Sequence, residues 1–155
     1  MAVSEEIADF WRAFCETDGT VSRDEPHQSW YFSNSPETAA ELADLVIAGR
    51  KTATASLVSV NELQPDVTPV DGGYSVVTDF FGKPKCVIRT VEVRHVPFEE
   101  VDERFAFDEG EGDQTLEFRR QVHDKYFSSE AAQFGVDFGP RSMICCERFK
   151  LLYHR

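Results

Sequence analysis

A lysine and three hydroxyls crowd into one short stretch, Gly49-Arg50-Lys51-Thr52-Ala53-Thr54-Ala55-Ser56. A threonine hydroxyl is a poor nucleophile near neutral pH and needs a base within hydrogen-bond reach. Lys51 can be that base only as a neutral amine, a form that burial favours. Beside a carboxylate it stays charged, and it then serves as a fixed cation for a developing oxyanion while a glutamate moves protons. The residues leave both assignments open, and the abundance of acids further along favours the second. A plainer role is also available, since Arg50 and Lys51 at a helix C-terminus complement the macrodipole.

The elements around this stretch decide what it can be. Gly-x-Lys-Thr is shared with the P-loop, but that motif follows a strand and enters a helix. Here the order is reversed. Asn34-Ser35-Pro36-Glu37 starts a helix, with Ser35 as N-cap and Pro36 at the first helical position. Ala39, Leu42, Ala43, Val46 and Ile47 form its inward stripe, and Gly49 stops it. From Thr52 to Val58 apolar residues alternate with hydroxyls, the pattern of a strand. Its hydroxyl face is the place to look for a ligand.

Upstream, Ser4 caps a helix whose stripe is Ile7, Phe10, Trp11 and Phe14, ending at Asp18-Gly19. The aromatic run Trp30-Tyr31-Phe32 suits either base stacking or burial. Downstream, a loop from Asn61 to Gly73 precedes a hairpin with arms Tyr74–Asp79 and Lys85–Val96. A short helix follows Pro97. Between Phe98 and Glu117 nine acids face one base, Arg104. The core of that segment, Asp108-Glu109-Gly110-Glu111-Gly112-Asp113, lacks calcium-loop spacing. Asp113 is expected to cap a helix running to about Phe127, with Phe118, Val122 and Tyr126 on one side. Met143 to Tyr153 reads as the closing strand. Strands interrupted by helices without a βαβ rhythm imply an α+β fold, a small, strongly curved mixed sheet or barrel with helices at its ends.

The chain has 155 residues, 16 Lys and Arg against 28 Asp and Glu, and a formal charge of −12. One domain of that length buries roughly 70% of its unfolded surface. The charge argues against a broad phosphate-binding face, so a nucleic-acid ligand should be short or a single nucleoside. Cys15, Cys86, Cys145 and Cys146 show no Cys-x-x-Cys spacing, and His27, His95, His123 and His154 show no metal spacing. His123 reads as a packing residue. No metal or other cofactor is expected. Without a signal-peptide core or an apolar run of membrane length, the expected setting is the cytoplasm with free thiols, and no membrane partner. Gly-x-Ser-x-Gly is absent, which excludes a serine hydrolase of the elbow type.

Gly49-Arg50-Lys51-Thr52-Ala53-Thr54 resembles the Gly-x-Lys-x-x-Thr-x-Arg motif of ASCH domains, whose barrel is similar to the PUA domain of RNA-modifying proteins. Asp79 to Thr90, with Gly82, Pro84 and Cys86, looks like that family's central hairpin. Phe105-Ala106-x-Asp108-Glu109-Gly110-Glu111-Gly112-Asp113, with His123-x-x-Tyr126-Phe127 beyond it, looks like its longer bacterial subgroup. The resemblance covers roughly Ser33 to Tyr153 and implies one ASCH domain over 1–155 with an N-terminal helical extension at about 1–33. Some members are amidohydrolases that deacetylate N4-acetylcytidine, others are described as ribonucleases, and a non-catalytic RNA-binding role has also been proposed. Carried over by position, the catalytic residues are Lys51, Thr54 and Glu109. Arg50, Ser56, Asn34, Asp79, Glu111 and Tyr126 are the candidate substrate contacts. The implied partner is a nucleoside or short single-stranded RNA, and self-association into a homodimer stays open. Ser56 stands where the motif has arginine.

Overall fold

The computed structural model describes residues 4–155. Ser4 accepts from the Ile7 amide and opens α1, Glu5–Asp18, which Gly19 ends in the left-handed region. β1, His27–Trp30, leads to α2, Pro36–Ile47, capped by Ser35. β2, Ala53–Leu57, is shorter than its alternating pattern, because Val58 already begins the one-turn helix α3, Val58–Asn61. The following loop carries a 3-10 turn at Pro65–Val67. β3, Tyr74–Thr78, and β4, Pro84–Pro97, make the expected hairpin. A 3-10 turn at Phe98–Glu100 and α4, Glu103–Glu109, follow. The chain then forms α5, Leu116–Phe134, and β5, Met143–His154.

The strands form one mixed sheet in the order β1-β3-β4-β5-β2. β1 lies parallel to β3, and the other neighbours are antiparallel. The sheet has two edges, β1 and β2, and bends at register shifts after Val77, Val87 and Thr90. The last shift matters for the site. Thr90 faces Phe149, and Glu92 and Val93 face Arg148 and Glu147, so Val91 is an extra residue on β4. The bulge keeps Thr90 on the side of the sheet that Glu147 shares.

Helices cover both faces. The apolar stripe of α1 packs on Val76 and Val87, while Ala43 and Val46 of α2 join Val77, Cys86, Ile88 and Phe149. Adjacent strand residues Val76 and Val77 thus serve opposite layers, as a period of two requires. A third cluster gathers Ala53, Leu57, Phe98, Phe105, Phe127 and Ile144 under α4 and α5.

Three expectations for α5 change. Its N-cap is Thr115, whose hydroxyl accepts from the Phe118 amide. Asp113 lies one step earlier, accepting from the Thr115 amide and hydroxyl. The helix also runs on to Phe134, where Gly135 ends it. Its buried positions are Arg119, Phe127 and Ala131, while Val122 is exposed. The inward stripe is displaced from the apolar one because it begins with an arginine.

Candidate functional site

The site begins where α2 unwinds. Gly49 takes a positive φ of 82°, and the Arg50 and Lys51 amides both return to the Leu45 carbonyl. This turn is then fastened to the acidic segment. The Thr52 amide donates to the Asp108 carbonyl at 2.8 Å, and Arg50 donates to the carbonyls of Gly110 at 2.8 Å and Gly112 at 2.5 Å. The two segments approach so closely that a Cβ at Gly110 would sit 2.3 Å from the Arg50 carbonyl oxygen. Only glycine fits there, and its φ of 69° suits glycine as well. The acidic segment is thus held to the cationic turn through its backbone carbonyls.

Lys51 is buried, 1% exposed. Its Nζ donates to the Ala53 carbonyl at 2.8 Å, the Glu109 carbonyl at 3.3 Å and Glu111 Oε2 at 2.7 Å. Three acceptors match the three donors of an ammonium, whereas a neutral amine has one donor fewer. The geometry suits the charged amine of the two forms the sequence left open, but its donors are taken by protein acceptors, so it holds Glu111 rather than reaching into the cavity.

Glu109 is also buried, but its carboxylate is occupied. Arg119 Nε donates to Oε1 at 2.5 Å, and His123 Nε2 lies 3.2 Å from Oε2. Burial pushes the Glu109 carboxyl up, yet His123, Arg119 and Lys51 together outweigh it and hold it down to about 2. The Arg119 guanidinium packs over the rings of Phe98 and Phe105. His123 is therefore not merely packing: its other ring nitrogen, Nδ1, lies 3.0 Å from the Arg119 carbonyl.

Beside this cluster is a cavity of about 240 Å³. Thr54 and Ser56 of the β2 hydroxyl face line it, with Trp30, Tyr31 and Phe32 on one side and Glu111, His123 and Tyr126 on another. Glu130 and Glu147 complete its acidic lining, and no lysine or arginine is among the lining residues. The Tyr126 hydroxyl donates to Glu130 at 3.2 Å, and burial pushes both groups up from their ordinary values.

The expected residues thus divide. Thr54, Ser56, Glu111 and Tyr126 face the cavity, and Lys51 stands behind Glu111. Glu109, carried over as a catalytic residue, is not among the lining residues, because Arg119 and His123 take its carboxylate; Glu111 lines the cavity. Arg50 is spent on loop carbonyls. Asp79 holds the hairpin turn, accepting from the Phe81 and Lys83 amides, and neither it nor Asn34 lines the cavity. Ser56 accepts from the Asn61 side chain at 2.9 Å. Sequence reasoning missed Arg119 and Glu147. An arginine at a position where α5 must face inward was the available signal for the first.

Glu109, Glu111 and His123 bring three donor atoms within 4.8 Å of one another, the count a metal ion needs. The set does not fit one. Arg119 sits on Glu109 and Lys51 on Glu111, so a cation would have to displace two buried positive charges.

A model of the ASCH domain matches residues 28–153. The chain belongs to the ASCH domain family. It is similar in structure to an ASCH domain from Lactobacillus crispatus JV V101, with a TM-score of 0.88 and 30% identity over 99% of this chain and 98% of that one. It is also similar to protein EF3133 from Enterococcus faecalis V583, at a TM-score of 0.84 and 29% identity over 95% and 88% of the two chains. The hypothetical protein PH0355 shares the fold at 15% identity and a TM-score of 0.52, over 80% of this chain and 99% of that one. No curated protein matches the chain. ASCH domains are generally RNA-related. Among the described residues no helix is long and apolar enough to cross a membrane.

Proposed function

We propose that this ASCH domain hydrolyses the amide of an N4-acylated cytidine without a metal ion. One observation carries the reading: a threonine hydroxyl and a lysine-bound glutamate line the same small, aromatic-walled cavity. Aromatic rings suit a nucleobase. A lining without Lys or Arg suits a neutral nucleoside better than a phosphodiester chain, which counts against the ribonuclease reading.

In this mechanism Lys51 stays an ammonium and holds Glu111 as a carboxylate. Glu111 takes the proton from the Thr54 hydroxyl as its oxygen attacks the acyl carbon. The tetrahedral intermediate collapses when Glu111 returns that proton to N4, which leaves as the amine of cytidine. Water, activated by the same carboxylate, then cleaves the acyl ester on Thr54. The products are cytidine and the free carboxylic acid. Ser56, in the place of the motif arginine, offers a hydroxyl where other members offer a charge.

The test is purified protein with N4-acetylcytidine in the presence of EDTA. Acetate and cytidine should appear, and Thr54→Ala should stop their release while leaving the fold intact. Nucleoside binding with no acetate released by the wild type would reduce the site to a binding module.

A further inference from the structure

Glu147 is a buried cavity group that the hydrolysis above does not use. It is 3% exposed, yet it lines the cavity. On β5 it lies directly opposite Thr54 of β2, so the attacking hydroxyl and this carboxyl are cross-strand neighbours. Its Oε2 accepts from the Thr90 hydroxyl at 2.5 Å, a contact that the β4 bulge makes available. Unlike Glu109 and Glu111, it forms no salt bridge among the described residues. Burying a carboxylate on a single neutral hydroxyl is costly, and the group relieves that cost by keeping its proton. Burial pushes the Glu147 carboxyl up, with the Thr90 hydroxyl and Lys51 pulling the other way.

We propose that Glu147 selects the ligand through a two-point hydrogen-bond pair, its carboxyl meeting a planar ring edge on which an N–H donor adjoins a ring-nitrogen acceptor. The inference rests on the nucleoside reading of the cavity. In an N4-acylated cytidine that edge is N4–H beside N3. The carboxyl O–H donates to N3, and Oε2, with lone pairs for both Thr90 and the ligand, accepts from N4–H. A base anchored there carries its acyl group toward the strand of Thr54, the geometry that attack requires.

The experiment titrates wild type, Glu147→Gln and Glu147→Leu with N4-acetylcytidine, cytidine and N4,N4-dimethylcytidine by calorimetry. Glutamine keeps a donor and an acceptor, so Glu147→Gln should bind cytidine within about threefold of wild type. Glu147→Leu should lose about tenfold or more, the cost of leaving ligand polar groups unpaired. Wild type should also bind the dimethyl analogue, which has no N4–H, about tenfold more weakly than cytidine, and Glu147→Leu should not make that distinction. Wild-type affinity should fall as rising pH ionises Glu147, while Glu147→Gln lacks that component. Lys51, Glu111, His123, Tyr126 and Glu130 also surround the site and are common to both proteins, so the difference between the profiles belongs to Glu147. If Glu147→Leu fails to fold, the wild-type comparison of cytidine with its dimethyl analogue decides alone. Equal affinity for those two nucleosides, or a glutamine variant as weak as the leucine one, overturns the proposal while leaving the nucleoside site standing. Failure of all three nucleosides to bind wild type removes both.

Discussion

Replacing Glu109 by glutamine should cost stability first. The carboxylate sits between Arg119 and His123, with Arg119 and Glu109 both almost fully buried. Removing one partner of a buried pair leaves the other charge uncompensated, at a cost of about 3–5 kcal/mol. The protonation equilibrium gives an independent figure. Holding a carboxyl from an ordinary 4.5 down to about 2 corresponds to about 3 kcal/mol of folding stability. The two routes agree, and for a domain of this length they imply a melting temperature lower by roughly 10 °C. The sign of the pH dependence follows from the direction of the shift. A carboxyl lowered by folding stabilises fully above its unfolded value, and that stabilisation disappears as pH falls from about 4.5 toward 2. Urea titrations of wild type and Glu109→Gln at several values between pH 7 and pH 2.5 should show a gap that is largest near neutrality and closes in acid. A gap below about 1 kcal/mol at pH 7, or one that widens on acidification, would refute the buried-pair reasoning.

Other outcomes separate the roles of neighbouring residues. Under the proposed hydrolysis, Glu111→Gln should abolish deacetylation of N4-acetylcytidine even in protein that is shown to be folded by circular dichroism, because the proposed proton carrier is gone while the Arg119–Glu109 pair remains. Gly110→Ala should lower stability by about 2 kcal/mol or more in a urea titration, since its left-handed φ is strained for alanine and the new Cβ meets a backbone oxygen. Nucleoside affinity should change less than about twofold between low and high salt, whereas each phosphate contact to a single strand would add a slope of roughly 0.7; titration of N4-acetylcytidine at several salt concentrations reads this directly.

How much of this was legible in the sequence depends on whether the informative force was local. Capping by Ser4 and Ser35, the α1 stripe, the hairpin and the hydroxyl face of β2 all follow from neighbours in sequence, and each appears where its pattern puts it. The stripe of α5 did not, because hydropathy assigns an arginine to the outside. Arg119 turns inward to meet Glu109, and neither residue could be buried without the other. The same nonlocal pairing explains why Glu111, and not Glu109, lines the cavity. Position within the acidic loop could not rank two glutamates separated by a single glycine, since what distinguishes them is which partner each one meets. Glu109 meets Arg119 and His123 and is locked; Glu111 meets Lys51 and still faces the cavity. Gly110 between them turns the chain so that the two carboxylates part, one into the core and one toward the cavity. That turn, with its close approach to the Arg50 carbonyl, is what separates the surroundings of two acids only two positions apart.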